Sequence, residues 1–256
     1  MLLMDRRRAL GGWLLISVLA GLLLYVQSVS YLLLDEAGDP LMLFELSASI
    51  SFVSLVMPAI AALPFGTGFC ADWQATYAGT AALRAGKRRY LLSKVFCCAL
   101  SGGLAAMGAM LAFVVLINLR YPQGFSLEPT FMELVYLKSL LIGGGMARYL
   151  VYYLSHLLLA FLSGGFWATT AMCFSAFYPN VPMTLVAPLL LHRLLSEVSL
   201  MLELPPWLNV TALSDGAAGL APLPLLGAAL LLYLTATLLV GALFFRRAKR
   251  RLNNAS

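Results

Sequence analysis

The sequence predicts an all-α polytopic membrane protein with six transmembrane helices and both termini in the cytoplasm. The composition is the first reason, because 61% of the 256 residues are hydrophobic and only 11% are charged. A soluble domain of that size cannot hide so much apolar surface, since a large share of any soluble surface must be polar. The second reason is that several apolar runs reach the roughly 20 residues that a helix needs to cross a bilayer.

The apolar runs divide the chain into six predicted spans. The first follows Arg6, Arg7 and Arg8 and exceeds the roughly 7–15 residues of a signal-peptide core, so we expect it to remain as an anchor. A short cytoplasmic helix is predicted over residues 69–84, between the second and third spans. The spans cover residues 9–34, 43–65, 95–119, 149–177, 183–201 and 223–245, within a single transmembrane domain over residues 1–256.

The distribution of charge supports this topology. Thirteen of the 17 lysines and arginines fall before the first span, between the second and third, or after the sixth. Only Arg120, Lys138 and Arg148 fall on the other side, where most of the acidic residues also lie. Because basic residues concentrate on the cytoplasmic side of membrane proteins, both termini are predicted inside. The net charge of +6 therefore indicates membrane topology rather than nucleic-acid binding.

Two external segments are predicted to form short re-entrant helices. The first, residues 131–142, is too short to cross a bilayer, and the second follows Pro205 and Pro206, which break the helix after the fifth span. Aromatic residues concentrate at membrane interfaces, so these segments are predicted to close the outer face as a gate. Two ordinary interfacial loops are the alternative. The predicted gate residues are Phe131, Tyr136, Trp207 and Leu208.

The segment "ADWQATYAGTAALRAGKRRYLLSK", residues 71–94, is polar and basic in an otherwise apolar chain. It is not a phosphate-binding loop of the G-x-x-x-x-G-K-[ST] type, because six residues separate Gly79 from Gly86 and Arg88 follows Lys87. The chain therefore shows no nucleotide site of its own in this segment.

As a helix, the same segment has one amphipathic face and a natural end. Phe69, Trp73, Tyr77 and Thr80 recur at spacings of three and four residues, and Gly86 can stop the helix. Such a helix could dock a partner protein or lie on anionic lipid. The residues alone leave both interpretations open.

The quoted pattern resembles the coupling-helix region of type 2 ABC exporter permeases. Asp72 stands where that family usually has a glutamate, the basic turn falls within Lys87–Arg89, and Lys94 opens the third span. The layout is also similar, with six spans and the external stretch "PPWLNVTALS" between the fifth and sixth. In size it resembles the small permeases of lantibiotic-immunity and bacteriocin-export systems, which implies the bacterial cytoplasmic membrane.

This resemblance implies a transport subunit that has no catalytic residues, metal or cofactor of its own. A separate ATPase subunit would bind ATP and Mg and dock on this chain, and a second permease subunit would complete a homodimer or heterodimer. The cargo would be apolar or amphipathic, such as a peptide antibiotic or drug, since the spans offer little that would bind a charged solute. The implied ATPase-coupling residues are Asp72, Trp73, Tyr77, Arg84, Lys87, Arg88, Arg89 and Lys94.

The fifth span carries His192, Arg193 and Glu197, and charges within a span are costly. Arg193 and Glu197 are four residues apart, so they can neutralise each other on one helix face. The group is predicted either to be a structural ion pair near the outer interface or to line the transport pathway or a subunit contact.

Other classes of function are less well supported by the sequence. His156 and Ser163 lie on one face of a single helix, unlike the nucleophile and base of an intramembrane protease, and H-E-x-x-H is absent. A secondary transporter or channel without an ATPase is the alternative, but we find no internal repeat. The small residues Ser101, Ala105 and Ala109 of the third span are predicted to serve close helix packing.

Overall fold

The computed structural model describes residues 2–32, 52–120, 146–205 and 222–254. These residues form helices and short turns, and no strand occurs among them. The all-α prediction is therefore confirmed for the described part of the chain. The helices are α1 (Leu2–Leu32), α2 (Phe52–Ala62), α3 (Gly68–Gln74), α4 (Tyr77–Ala85), α5 (Lys87–Arg120), α6 (Met146–Phe177), α7 (Val181–Met201) and α8 (Pro222–Asn254).

Four helices of the described part are long and apolar enough to cross a membrane. They correspond to the predicted third to sixth spans and lie within Lys87–Arg120, Tyr152–Phe177, Val181–Met201 and Leu226–Asn254. The described apolar part of α1 is shorter, Gly12–Gln27. The second predicted span is described only from residue 52, and the two predicted external helices lie outside the described residues.

Small residues bring α5 close to two of its neighbours, α2 and α6. Ser101, Ala105 and Ala109 are buried, as the sequence predicted. A methyl group at Gly102 would lie 2.8 Å from the carbonyl oxygen of Ala61 and 2.9 Å from that of Gly164, so only glycine fits there. The close approach of α5 to α2 and α6 therefore depends on the absence of a side chain at residue 102.

Contacts between residue pairs give the relative directions of the long helices. Helix α1 runs parallel to α5, because residues 17 and 21 meet residues 105 and 109. Helix α6 runs antiparallel to α5, because residue 98 bonds to 168 while 103 faces 161. Helix α8 is also antiparallel to α5, with the pairs 87–253 and 95–241. The beginnings of α1 and α5 and the end of α8 therefore lie at one end of the molecule.

We call this end the basic end. It consists of the beginnings of α1 and α5, the short helices α3 and α4, and the ends of α6 and α8. Helix α8 continues to Asn254 instead of stopping near residue 245, where the predicted span ends. The reason is a buried stripe at four-residue spacing, formed by Phe244, Ala248 and Leu252, which packs the helix extension against the rest of the basic end.

Candidate functional site

The segment between α2 and α5 contains the predicted coupling helix. It consists of two short helices, α3 and α4, joined at Ala75 and Thr76. Thr76 has a φ of 55°, in the left-handed region that a β-branched residue rarely occupies. The chain changes direction there, so the single helix predicted over 69–84 is corrected to two. Gly86 does end α4, with a φ of 80° that suits glycine.

A buried ion pair joins α3 to α5. The Nζ of Lys94 lies 2.9 Å from Oδ2 of Asp72, and the two side chains are 1% and 6% exposed. The hydroxyl of Tyr90 donates a hydrogen bond of 2.8 Å to the same carboxylate oxygen. The ammonium group also lies 4.8 Å from the centre of the Phe65 ring, which covers it from the side of the turn at residues 63–67. Two opposite charges thus satisfy each other in a dry environment.

This arrangement changes the expected roles of Asp72 and Lys94. Both were predicted to belong to a surface that contacts an ATPase, but their charged groups face the interior of the chain. They hold α3 in place against α5. Their influence on a partner would therefore be indirect, through the position of α3.

The outward side of the two short helices is formed by other residues. Tyr77 is 37% exposed and Leu83 is 71% exposed, and Thr80 and Arg84 are also on the surface. On the inward side, α4 buries three alanines, Ala78, Ala81 and Ala82. Leu83 was missed by the sequence analysis, because a single leucine among alanines gave no signal of its exposure.

The predicted aromatic face is divided between the interior and the surface. Phe69 is fully buried and contacts the Phe244 ring edge-on, with ring centres 5.2 Å apart. Trp73 is half-buried, and the guanidinium carbon of Arg251 lies 5.2 Å from the centre of its ring. Only Tyr77 and Thr80 of this face are exposed, so the face is not the continuous surface that one helix would present.

The end of α8 contacts α3 through Arg251 and Trp73, and it is itself bonded to the end of α6 and the beginning of α5. Arg251 donates a hydrogen bond of 3.0 Å to the carbonyl oxygen of Phe177, at the end of α6. Lys87 donates a hydrogen bond of 2.9 Å to the side-chain oxygen of Asn253. From α3, the amide of Gln74 donates a hydrogen bond of 2.9 Å to the carbonyl oxygen of Pro179. The short helices are therefore tied to α5, α8 and the turn between α6 and α7.

The surface of the basic end is strongly positive. Residues 63–95 and 246–254 together contain ten lysines and arginines but only one acid, Asp72, whose charge is already paired with Lys94. The exposed cations of these segments come from both α4–α5 and α8. They are Arg84, Arg88, Arg89, Arg246, Arg247, Lys249 and Arg250.

The second predicted group, on α7, is split between two sides of that helix. Arg193 and Glu197 form the predicted ion pair, with side chains 64% and 45% exposed. His192 is buried and faces the ring of Trp167, 5.3 Å away between ring centres. Among the described residues its Nδ1 has no hydrogen-bond partner. The three residues therefore do not form one polar site.

The serine and histidine of α6 are not brought together as a catalytic pair. The Ser163 hydroxyl donates a hydrogen bond of 3.3 Å to the carbonyl oxygen of Ala160, and Nδ1 of His156 lies 3.1 Å from the carbonyl oxygen of Tyr152. Each side chain is thus bonded to its own helix backbone. In the parts of the chain that are described, no three His, Cys, Asp or Glu residues lie close enough to hold a metal ion.

The predicted gate residues Phe131, Tyr136, Trp207 and Leu208 lie outside the described residues. Comparison of the chain with protein-family models, curated proteins and solved structures finds no match.

Proposed function

We propose that this chain is the membrane-spanning permease subunit of an ATP-driven ABC exporter, and that a separate ATPase subunit docks on the exposed side of α3 and α4. The observation that carries the proposal is the construction of the basic end. Two short helices present an outward face while a buried ion pair and the end of α8 hold them against the long apolar helices. Movement of an ATPase bound to α3 and α4 would therefore be transmitted to the long helices.

The directions of the helices support a six-span topology with both termini on the cytoplasmic side. Helices α1 and α5 begin at the basic end, and α6 and α8 end there. Exposed cations gather at that end, as the positive-inside rule requires of a cytoplasmic surface. The cytoplasm is also where an ATPase subunit would find ATP.

Docking of a protein explains α4 better than contact with lipid. A helix that lies on a membrane needs a broad apolar face to insert between the headgroups. The apolar face of α4 is already used, because Ala78, Ala81 and Ala82 pack against the chain itself. What remains outside is a mixed surface of Tyr77, Thr80, Leu83 and Arg84, with one large aliphatic side chain among polar neighbours. Such a mixed surface is typical of a protein interface.

The residues of the basic end would then have two kinds of role. Tyr77, Leu83 and Arg84 would contact the ATPase directly, and Arg88 and Arg89 would attract acidic groups on it. Asp72, Lys94 and Tyr90 would hold α3 on α5, so that movement of the docked ATPase is transmitted to that helix. Trp73 and Arg251 would link the same movement to α8.

An apolar or amphipathic cargo suits the long helices. In the described apolar stretches 12–27, 95–119, 152–177, 181–201 and 226–245, the only Asp, Glu, Lys or Arg residues are Arg193 and Glu197. These two neutralise each other. A cargo with unpaired charge would find no counter-charge along these stretches.

Purification of this chain from its native membranes, with any ABC ATPase that accompanies it identified by mass spectrometry, tests the proposal. We expect Leu83→Asp and Tyr77→Ala each to reduce recovery of the ATPase by at least about tenfold, the effect of losing about 1.4 kcal/mol of binding. Met201→Ala is the control. Met201 is 81% exposed, like the docking residues on the surface, but it is the last residue of α7 and lies away from the basic end. Unchanged recovery with both docking variants, while the chain still enters the membrane, would contradict the proposed docking surface.

A further inference from the structure

An open groove lies between α6 and α7 and begins at the basic end. Its volume is about 370 Å³, within the roughly 300–1,000 Å³ of sites that bind small molecules. Phe174, near the end of α6, and Tyr178, just after it, form one wall. The other wall runs along α7 from Met183 to Leu194. We call this site the α6–α7 groove.

The lining of the α6–α7 groove suits an apolar ligand. Residues 174–192 contain no Asp, Glu, Lys or Arg. The hydroxyl of Thr184 already donates a hydrogen bond of 2.8 Å to the carbonyl oxygen of Asn180. Arg193, beside the far end of the groove, is paired with Glu197. A polar ligand would lose its hydrogen bonds to water along these walls, whereas a hydrocarbon chain has none to lose.

The length and position of the groove match one leaflet of a bilayer. Met183 is the third residue of α7, and Leu194 follows eleven residues later, about 16 Å along the helix axis. Half of the hydrocarbon core of a bilayer measures about 15 Å. The groove therefore extends from the basic end to about the middle of the membrane, as an acyl chain of the leaflet on that side does.

A cation lies near the end of the groove that opens at the basic end. The guanidinium carbon of Arg247 is 5.1 Å from the centre of the Phe177 ring, and Phe177 directly precedes Tyr178 of the groove wall. Arg247 is exposed and forms no ion pair with a carboxylate of the described residues. A guanidinium group held against a ring can still donate hydrogen bonds to phosphate oxygens.

We propose that the α6–α7 groove binds one acyl chain of an anionic phospholipid, and that Arg247 binds the phosphate group of the same lipid. Charge selects the anionic class, because the exposed Arg246, Arg247 and Arg250 attract a net negative headgroup and repel the cationic group of a zwitterionic one. One bound lipid would then connect the ends of α6 and α8 with α7. The proposal requires the membrane setting on which the proposed function also rests, but it requires no ATPase.

Phospholipids with a photoreactive diazirine in one acyl chain test the site. The purified full-length chain is placed in vesicles of equal parts phosphatidylglycerol and phosphatidylcholine, with a trace of either lipid carrying the diazirine. We expect the phosphatidylglycerol probe to label residues 174–194 about fivefold more than the phosphatidylcholine probe, as measured by mass spectrometry of the peptides. The exposed face of α8 around Leu231 and Leu238 is the internal control, and it should not distinguish the two probes.

Equal labelling of the groove by the two probes would overturn the proposal. So would absence of labelling in the groove, the result expected if a neighbouring protein helix fills it. Since the vesicles contain no ATPase, failure here is separate from failure of the docking surface.

Three variants test the two parts of the site. Arg247→Gln is expected to lower labelling by the phosphatidylglycerol probe to the level of the phosphatidylcholine probe. Lys249→Gln is the matched control, because it removes an exposed cation about 200° further round the same helix. Ala187→Phe fills the groove, since Ala187 is a half-buried residue of its wall, and should lower labelling by both probes at least about fivefold. The proposal fails if Arg247→Gln has no more effect than Lys249→Gln, or if Ala187→Phe leaves labelling unchanged.

Discussion

Replacing Lys94 with methionine is expected to lower the free energy of unfolding by about 3–5 kcal/mol, because it leaves the Asp72 carboxylate buried without a counter-charge. The two groups lie 2.9 Å apart, with almost no exposure to solvent. In a chain of this length such a loss corresponds to a fall in the melting temperature of roughly 6–20 °C. Thermal unfolding of the purified protein in detergent measures it.

Two further variants distinguish the loss of the Asp72–Lys94 ion pair from a general effect of substitutions in α5. Asp72→Leu combined with Lys94→Met removes both charges, and we expect it to recover most of the lost stability, since apolar side chains can replace a buried ion pair at little cost. Arg89→Met is the control, because Arg89 lies on the same helix but is exposed. If Lys94→Met were no more harmful than Arg89→Met, the buried pair would not be holding α3 to α5.

Shortening Leu252 to alanine is expected to loosen the basic end, at a cost of about 2–5 kcal/mol. Leu252 is 3% exposed and packs in the same cluster as Phe69, Ala82 and Tyr90, so its loss leaves a cavity between α8 and the short helices. The effect should be local. Hydrogen exchange would therefore become faster in α3, α4 and residues 246–254 than in the middle of α5.

Asn254→Ala provides the control for this prediction, since Asn254 is an exposed residue two positions further along the same helix. We expect it to leave hydrogen exchange in α3 and α4 unchanged. Equal exchange in the Leu252→Ala protein and the control would show that the end of α8 does not support the short helices.

The sequence alone predicted the class of fold because that information is local. Apolar runs and their lengths predict long helices, and the spacing of Ser101, Ala105 and Ala109 predicts close packing without reference to a partner. The pairing of Arg193 with Glu197 was also local, since one helical turn joins them. Each of these features depends on residues that are near one another in the chain.

The arrangement of the basic end could not be predicted in this way. Asp72 and Lys94 are 22 residues apart, and their burial against each other depends on how α3 turns back on α5. The turn itself depends on Thr76, whose left-handed conformation runs against the preference of a β-branched residue. Arg251 reaches Trp73 from the far end of the chain. One feature of this end could have been predicted from the sequence. The four-residue spacing of Phe244, Ala248 and Leu252 indicates that α8 continues beyond residue 245.

The division of the basic end into a buried holding pair and an exposed face changes which residues should be mutated. Under the proposed function Asp72 would correspond to the coupling glutamate of type 2 ABC exporter permeases, yet a loss of function on mutating it would have two explanations, instability and lost contact. Leu83 and Arg84 are free of this ambiguity, because their side chains are exposed, whereas Tyr77 is only 37% exposed. Variants at Leu83 and Arg84 therefore test docking without disturbing the interior.

The central claim is that a nucleotide-binding subunit sits on the exposed side of α3 and α4. A photo-activated cross-linking amino acid at Thr80, an exposed residue of α4, tests it directly in native membranes. We predict a cross-linked product that contains an ABC ATPase, identified by mass spectrometry, and none from the same group at Leu230, an exposed residue of α8. Cross-linking of Thr80 to lipid alone, with no ATPase in the product, would contradict the account.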